Sequence, residues 1–195
     1  MSTFDFSAFE ELVENNRCCR RFKQEDGFSR EELSKLVNLA RKTSSGANRQ
    51  PLKYYLAREE EMNEKIFSTL SWAGALKEWD GPEEGEKPSG YIVMLGDKDI
   101  AENFYCDPGI AAQTILLGAR TAGRAGCIFA AIDKEELREK LNLDDRFEIL
   151  YVLALGTPDE EIELEKMEGS DFNYWRDEDD VHHVPKRSLE EIIIN

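Results

Sequence analysis

The chain has 195 residues, a length that fits one domain spanning 1–195, and its 41% hydrophobic and 10% aromatic residues are those of a folded chain with a real core. Lys and Arg total 25 against 41 Asp and Glu, a formal charge of −16, which argues against a nucleic-acid partner held through phosphates and against an anionic membrane surface. No segment approaches the ~20 apolar residues of a membrane span and Met1 to Phe9 lacks the features of a secretory signal, so a cytoplasmic location is expected.

Phe6, Phe9, Leu12 and Val13 recur at helical spacing and predict a helix over about 5–16, with Ser7 as its cap. Ser29 and Glu32 form a capping-box pair ahead of the stripe Leu33, Leu36, Val37 and Ala40, a second helix ending near Lys42. A polar loop, 43–51, leads into a strand over 52–58, and helical spacing returns over 59–70. Residues 77–89 are rich in Gly, Pro and Glu and predict an exposed connection before a buried strand at 91–95.

Asp107-Pro108 opens the next helix, with Asp107 as an acidic cap, Pro108 at the first helical position, and Gly123 or Gly126 as the stop. Ile110, Ala111, Ala112, Ile115, Leu116, Leu117 and Ala119 leave almost no polar face, which predicts burial on nearly all sides, in part against a second subunit. A strand at 127–132, a short helix at 135–141 and a central strand at 147–155 follow. Residues 159–180 then hold eleven acids against Lys166 and Arg176, so this stretch reads as a solvated acidic face or a docking surface for a basic partner. Ile192, Ile193 and Ile194 could add a last strand.

In so acidic a chain, clustered cations are a signal. Arg17, Arg20 and Arg21 sit together, and Lys186-Arg187 stand near the end; such groups suit a phosphate, although surface charge offsetting the acids explains them equally well. Ser44, Ser45, Asn48 and Gln50 in the 43–51 loop can read the polar edge of a heterocycle, or simply make a connection. No phosphate-binding glycine fingerprint and no nucleophile elbow occur. His182 and His183 should point to opposite sides of an extended segment, and the four cysteines (18, 19, 106 and 127) have no metal-ligand spacing, so no metal site is expected and the thiols read as reduced. Trp72 and Trp79 read as core residues, with Trp72 alternatively the cap of an aromatic pocket.

In order along the chain, Arg17-Cys18-Cys19-Arg20-Arg21-Phe22, Ser44-Ser45-Gly46-Ala47-Asn48-Arg49-Gln50-Pro51, the 107–123 helix with Gly126-Cys127-Ile128-Phe129 after it, Ala154-Leu155-Gly156-Thr157-Pro158, and the Lys186-Arg187 tail resemble the nitroreductase-like flavoproteins. That resemblance implies an α+β fold: a three-layer sandwich around a mainly antiparallel sheet, assembled as an intertwined homodimer with FMN at the interface. It implies that Arg17, Cys18, Arg20, Lys186 and Arg187 hold the FMN phosphate and ribityl chain, that Ser45, Asn48 and Gln50 approach the flavin ring from the partner subunit, and that Phe129 lines its other side. Two departures stand out: Cys18 replaces the usual Ser with a weaker S–H donor, and Ser44 replaces the usual Pro.

The activity implied is a ping-pong oxidoreductase in which NAD(P)H passes hydride to flavin N5 and an electron-poor acceptor, a nitroaromatic or quinone, then takes it up. The flavin carries the chemistry, so no protein catalytic residue is required. The alternatives that share the fold are a specialised dehydrogenase, dehalogenase or flavin-processing enzyme, or a non-enzymatic FMN-binding redox sensor or carrier.

Overall fold

A computed structural model describes residues 5–195. The elements run α1 (Phe6–Asn15), β1 (Phe22–Lys23), α2 (Arg30–Ala40), β2 (Leu52–Ala57), α3 (Glu60–Phe67), β3 (Gly90–Asp97), α4 (Asp107–Thr121), β4 (Ala125–Phe129), α5 (Lys134–Leu141), β5 (Phe147–Pro158), β6 (Ile162–Lys166), β7 (Trp175–Arg176), β8 (His182–Lys186) and α6 (Leu189–Ile192).

The apolar run at 91–95 forms the middle of the molecule because both of its faces are covered. All eight residues of β3 are buried, with β2 on one edge and β5 on the other, both antiparallel. Alternation sends Ile92 and Met94, with Leu153 and Leu155 of β5, against Leu33 and Leu36 of α2 and Ala112, Ile115 and Leu116 of α4. Tyr91, Val93 and Leu95, with Val152 and Ala154, turn instead to Ile66 of α3 and Leu137 of α5. The result is the expected α+β three-layer sandwich. Each of the buried Val, Leu, Ile and Met side chains contributes on the order of 1.5–3 kcal/mol of apolar burial. The far edge of β5 is shared by β4 and then β1, again antiparallel.

Several boundaries differ from the sequence expectation. Asp5, not Ser7, caps α1, because its carboxylate accepts from both Ser7 N–H and Oγ. The Ser29–Glu32 capping box forms as expected. Asp107 sits inside α4, with Cys106 at the cap position and Pro108 in the first turn, and Gly123 ends the helix at φ +72°. In the single chain α4 is buried on one face only: Ala111, Ala112, Ile115 and Ala119 point inward, while Ile110 and Gln113 stay exposed beside α1, whose Phe6 and Phe9 are exposed as well.

The acidic 159–180 stretch is not merely a solvated run. Its β6 pairs in parallel with β8, and β7 adds on antiparallel, giving a second, three-stranded sheet. Its long-range ties are ionic, which local periodicity does not encode: the Glu160 carboxylate, 1% exposed, accepts from the Arg176 guanidinium at 2.8 Å and from the backbone N–H of Arg20 and of Arg21. The isoleucine-rich end forms no strand; Ile192 ends α6, and the Ile193 N–H donates back to the Leu189 carbonyl at 3.1 Å.

Candidate functional site

The Arg17–Phe22 segment leaves α1 and runs across the start of β4. Cys18 pairs with Gly126 as a short parallel bridge, and the Cys19 N–H donates to the Gly126 carbonyl at 3.1 Å. Gly126 has to be glycine at this crossing, since a Cβ would lie 2.6 Å from the Ala154 carbonyl oxygen. Arg17 is half-buried and donates to the carbonyls of Asn16 at 2.8 Å and Val13 at 2.7 Å. Arg20 is 8% exposed; its Nη1 donates to the Cys18 carbonyl at 3.3 Å and to His182 Nε2 at 3.2 Å, and its guanidinium lies 4.5 Å over the Tyr174 ring.

Every one of those side-chain partners is uncharged. Among the described residues neither Arg17 nor Arg20 has a carboxylate within ion-pair distance, in a chain with 41 acids. Arg21, by contrast, pairs with Glu86 at 3.4 Å and with Asp180. Arginine only donates, so His182 Nε2 must be the acceptor; burial, with Arg20 next to it, pulls this imidazole down to about 4 and keeps it neutral. Between the two arginines Cys18 is exposed. A hydrogen bond from the Cys127 thiol, helped by Arg20 and Arg17 against the cost of burial, brings the Cys18 thiol down to about 6.

The 43–51 loop is fixed by a residue whose role the sequence does not reveal. The Asp107 side chain, 4% exposed, does not cap its own helix; it accepts from Ser45 Oγ at 2.6 Å and from the Gly46 N–H at 2.9 Å. Ser45 Oγ in turn accepts from the Gln50 N–H at 2.9 Å. Gly46–Asn48 form a tight turn with Ala47, Asn48 and Gln50 all at φ between 50° and 55°, and the Gln50 amide donates to Asn48. Asn48 and Gln50 are exposed. A cavity of about 150 Å³ opens beside them between Ser45, Gln50, Tyr54 and Asp107.

The predicted residues therefore fall into separate groups. Arg17, Cys18 and Arg20 meet at the β4 end of α4, and Ser45, Asn48 and Gln50 gather at its start; the helix has 15 residues, about 21 Å at ~1.5 Å per residue. Lys186 and Arg187 do not join Arg20: four extended residues, about 13 Å, separate Lys186 from His182, and Arg187 pairs with Glu191. Phe129 does not lie on an open face; it is 5% exposed and packs edge-on to Trp72 at 4.6 Å in the α3 and α5 layer. His182 and His183 do point apart, His183 stacking on Trp175 at 4.2 Å and bonding Asp177 at 3.1 Å. His182 and Tyr174 were hidden because their only link to Arg20 is long-range.

The family model for nitroreductases, described as "Nitroreductase family", matches residues 13–157. The chain belongs to the nitroreductase family. The matched span holds both groups at the two ends of α4, and Lys186 and Arg187 lie beyond it. A protein of Archaeoglobus fulgidus named "Putative NADH dehydrogenase/NAD(P)H nitroreductase" is 26% identical over 142 residues, 69% of this chain and 76% of its own. "Putative NAD(P)H nitroreductase MhqN" of Bacillus subtilis is 22% identical over 189 residues, covering 76% of this chain and 87% of its own. The crystal structure of a nitroreductase family protein from Streptococcus pneumoniae superposes with a TM-score of 0.69 at 17% identity over 96% of this chain and 99% of that one, a likeness of fold. Among the described residues of this nitroreductase-family chain, no helix is long and apolar enough to cross a membrane.

Proposed function

We propose that this nitroreductase-family protein is an FMN-dependent oxidoreductase that uses NAD(P)H to reduce electron-poor acceptors such as nitroaromatics and quinones, working as a homodimer. The observation that carries the reading is the pair Arg17 and Arg20, cations without a carboxylate partner in an acidic chain, next to an exposed Cys18. A buried guanidinium left without a counter-ion is costly, and an anionic ligand is the natural compensation. The donor set fits FMN in this respect. Arg17 and Arg20 hold the phosphate, with Cys18 beside them, and Lys186 and Arg187 add positive potential from the C-terminal sheet.

The two groups at opposite ends of α4 support assembly across two chains, because one chain cannot bring both to a single ring. Ser45, Asn48 and Gln50 then come from the partner subunit and orient the ring's polar edge, while Phe129 backs the strand beneath. The exposed apolar residues Ile110, Phe6 and Phe9 supply the face on which α1 and α4 meet a second copy. FMN, when bound, supplies the hydride acceptor and donor; the chain's own groups bind, orient and exclude water.

The test is anaerobic titration of the purified protein with NADH and NADPH, followed by menadione or a nitroaromatic. The reading expects a yellow protein that bleaches and recovers its colour. A colourless protein that takes up no added FMN overturns it.

A further inference from the structure

The crossing of the Arg17–Phe22 segment over β4 does more than place arginines. Cys18 faces Gly126 across the parallel bridge, so Cys127 is one residue off register, and strands ~4.8 Å apart leave the two cysteine Cα atoms about 6 Å from one another, within the ~4.4–6.8 Å a disulfide spans. The two thiols act on one another: Cys127 is the strongest influence drawing the Cys18 thiol down, and Cys18 the strongest pushing the Cys127 thiol up. Cys18 is exposed and Cys127 is buried. Cys19, the sequence neighbour, is turned away, its Sγ donating to the Arg21 carbonyl at 3.1 Å.

We propose that Cys18 and Cys127 form a peroxide-sensitive dithiol in which Cys18 is the attacking thiol and Cys127 the resolving one. The Cys18 thiolate attacks the terminal oxygen of a hydroperoxide. An S–O bond forms, the O–O bond breaks, and the departing hydroxide or alkoxide takes a proton from solvent, leaving a sulfenic acid. The Cys127 thiol then attacks that sulfur; the S–S bond forms, the S–O bond breaks, and the hydroxyl leaves as water with the Cys127 proton. The two thiols give up two electrons in all and one hydroperoxide becomes water or an alcohol. A small dithiol reverses the change by exchange.

The environments divide the roles in the same way. The hydrogen bond from Cys127 and the flanking arginines favour the Cys18 thiolate near neutral pH, whereas the Cys18 thiolate and burial push the Cys127 thiol up. Burial likewise pushes Cys19 up, which leaves it a poor nucleophile. The proposal stands on these two cysteines; because the flavin reading sets Cys18 beside the FMN phosphate, the protein is first freed of any bound flavin.

The experiment treats the full-length protein at pH 7 with one equivalent of hydrogen peroxide, blocks free thiols with N-ethylmaleimide, and reads intact mass and non-reduced peptides. The expected result is two of the four thiols protected per chain, recovered by dithiothreitol, with a crosslink that includes Cys127. The crosslink persists in Cys19→Ser and is lost in Cys18→Ser, while Cys127→Ser stops at a Cys18 adduct with dimedone. Full alkylation of Cys18 and Cys127 after peroxide overturns the proposal, as does a crosslink that survives in Cys18→Ser.

Discussion

Ser45 Oγ donates to the Asp107 carboxylate at 2.6 Å, and the neighbouring Gly46 N–H donates to the same group at 2.9 Å. One buried side chain in the first turn of α4 thus fixes a loop whose own backbone is held in left-handed conformations at Ala47, Asn48 and Gln50. Strained turns of this kind persist where the surroundings over-determine them, and Asp107 is the group that does so here.

Asp107→Ala leaves both donors without their acceptor, at about 1–3 kcal/mol, or roughly 2–10 °C in Tm for a domain this size. Asp107→Asn keeps the shape and an acceptor oxygen and should cost less. Thermal unfolding compares them, and flavin retention should fall with Asp107→Ala if the loop borders the cofactor. An unchanged Tm in Asp107→Ala would show that the loop holds itself.

Breaking the ionic tie of the C-terminal sheet should be more severe. Glu160→Ala removes the acceptor for Arg176 and for two backbone N–H groups, and an unpaired buried charge costs about 3–5 kcal/mol. The double variant Glu160→Ala/Arg176→Ala should recover part of that loss, since it removes the stranded cation. Urea unfolding of wild type, Glu160→Ala, Arg176→Ala and the double variant gives the coupling energy; strictly additive losses would contradict it.

What the sequence shows of this molecule is what neighbouring residues encode. The Ser29–Glu32 box, the alternation of β3 and the Pro108 start of α4 are local signals, and all three stand in the structure. The second sheet was not legible, because acids at 159–180 read as solvated, whereas Glu160 is buried by a partner sixteen residues on and by the distant Arg20 and Arg21 backbone. The same limit hid the acceptor role of Asp107 and the contact of Cys18 with Cys127. Nor does the sequence show that β8 sets Lys186 four residues along from His182.

The adjacent histidines should give stability opposite pH dependences. His182 has its folded value lowered to about 4 by burial, below the ~6.5 of the unfolded chain, so its contribution is present above ~6.5 and lost as pH falls toward 4. His183 is raised, first by its hydrogen bond to Asp177, then by Glu165; its contribution is full below ~6.5 and lost as pH rises through the folded value. Tm measured from pH 4 to 8 should lose its acid-side slope in His182→Gln and its neutral-side slope in His183→Gln. Matching profiles in wild type and both variants would rule this out.

Arg17 and Arg20 can be separated from general positive charge by asking what they read. If they hold the terminal phosphate, Arg17→Ala and Arg20→Ala should each weaken FMN by about 10–100-fold, the worth of a charge-assisted hydrogen bond of ~1.5–3 kcal/mol. Riboflavin, which lacks that phosphate, should bind wild type and Arg17→Ala alike. Arg20→Ala also removes the donors to His182 and the Cys18 carbonyl, so Arg20→Lys, which keeps the charge but not the fork, serves as its control. Fluorescence titration of apoprotein with both flavins supplies the comparison. An equal loss of FMN and riboflavin affinity in Arg17→Ala would show that this arginine shapes the segment and does not contact phosphate.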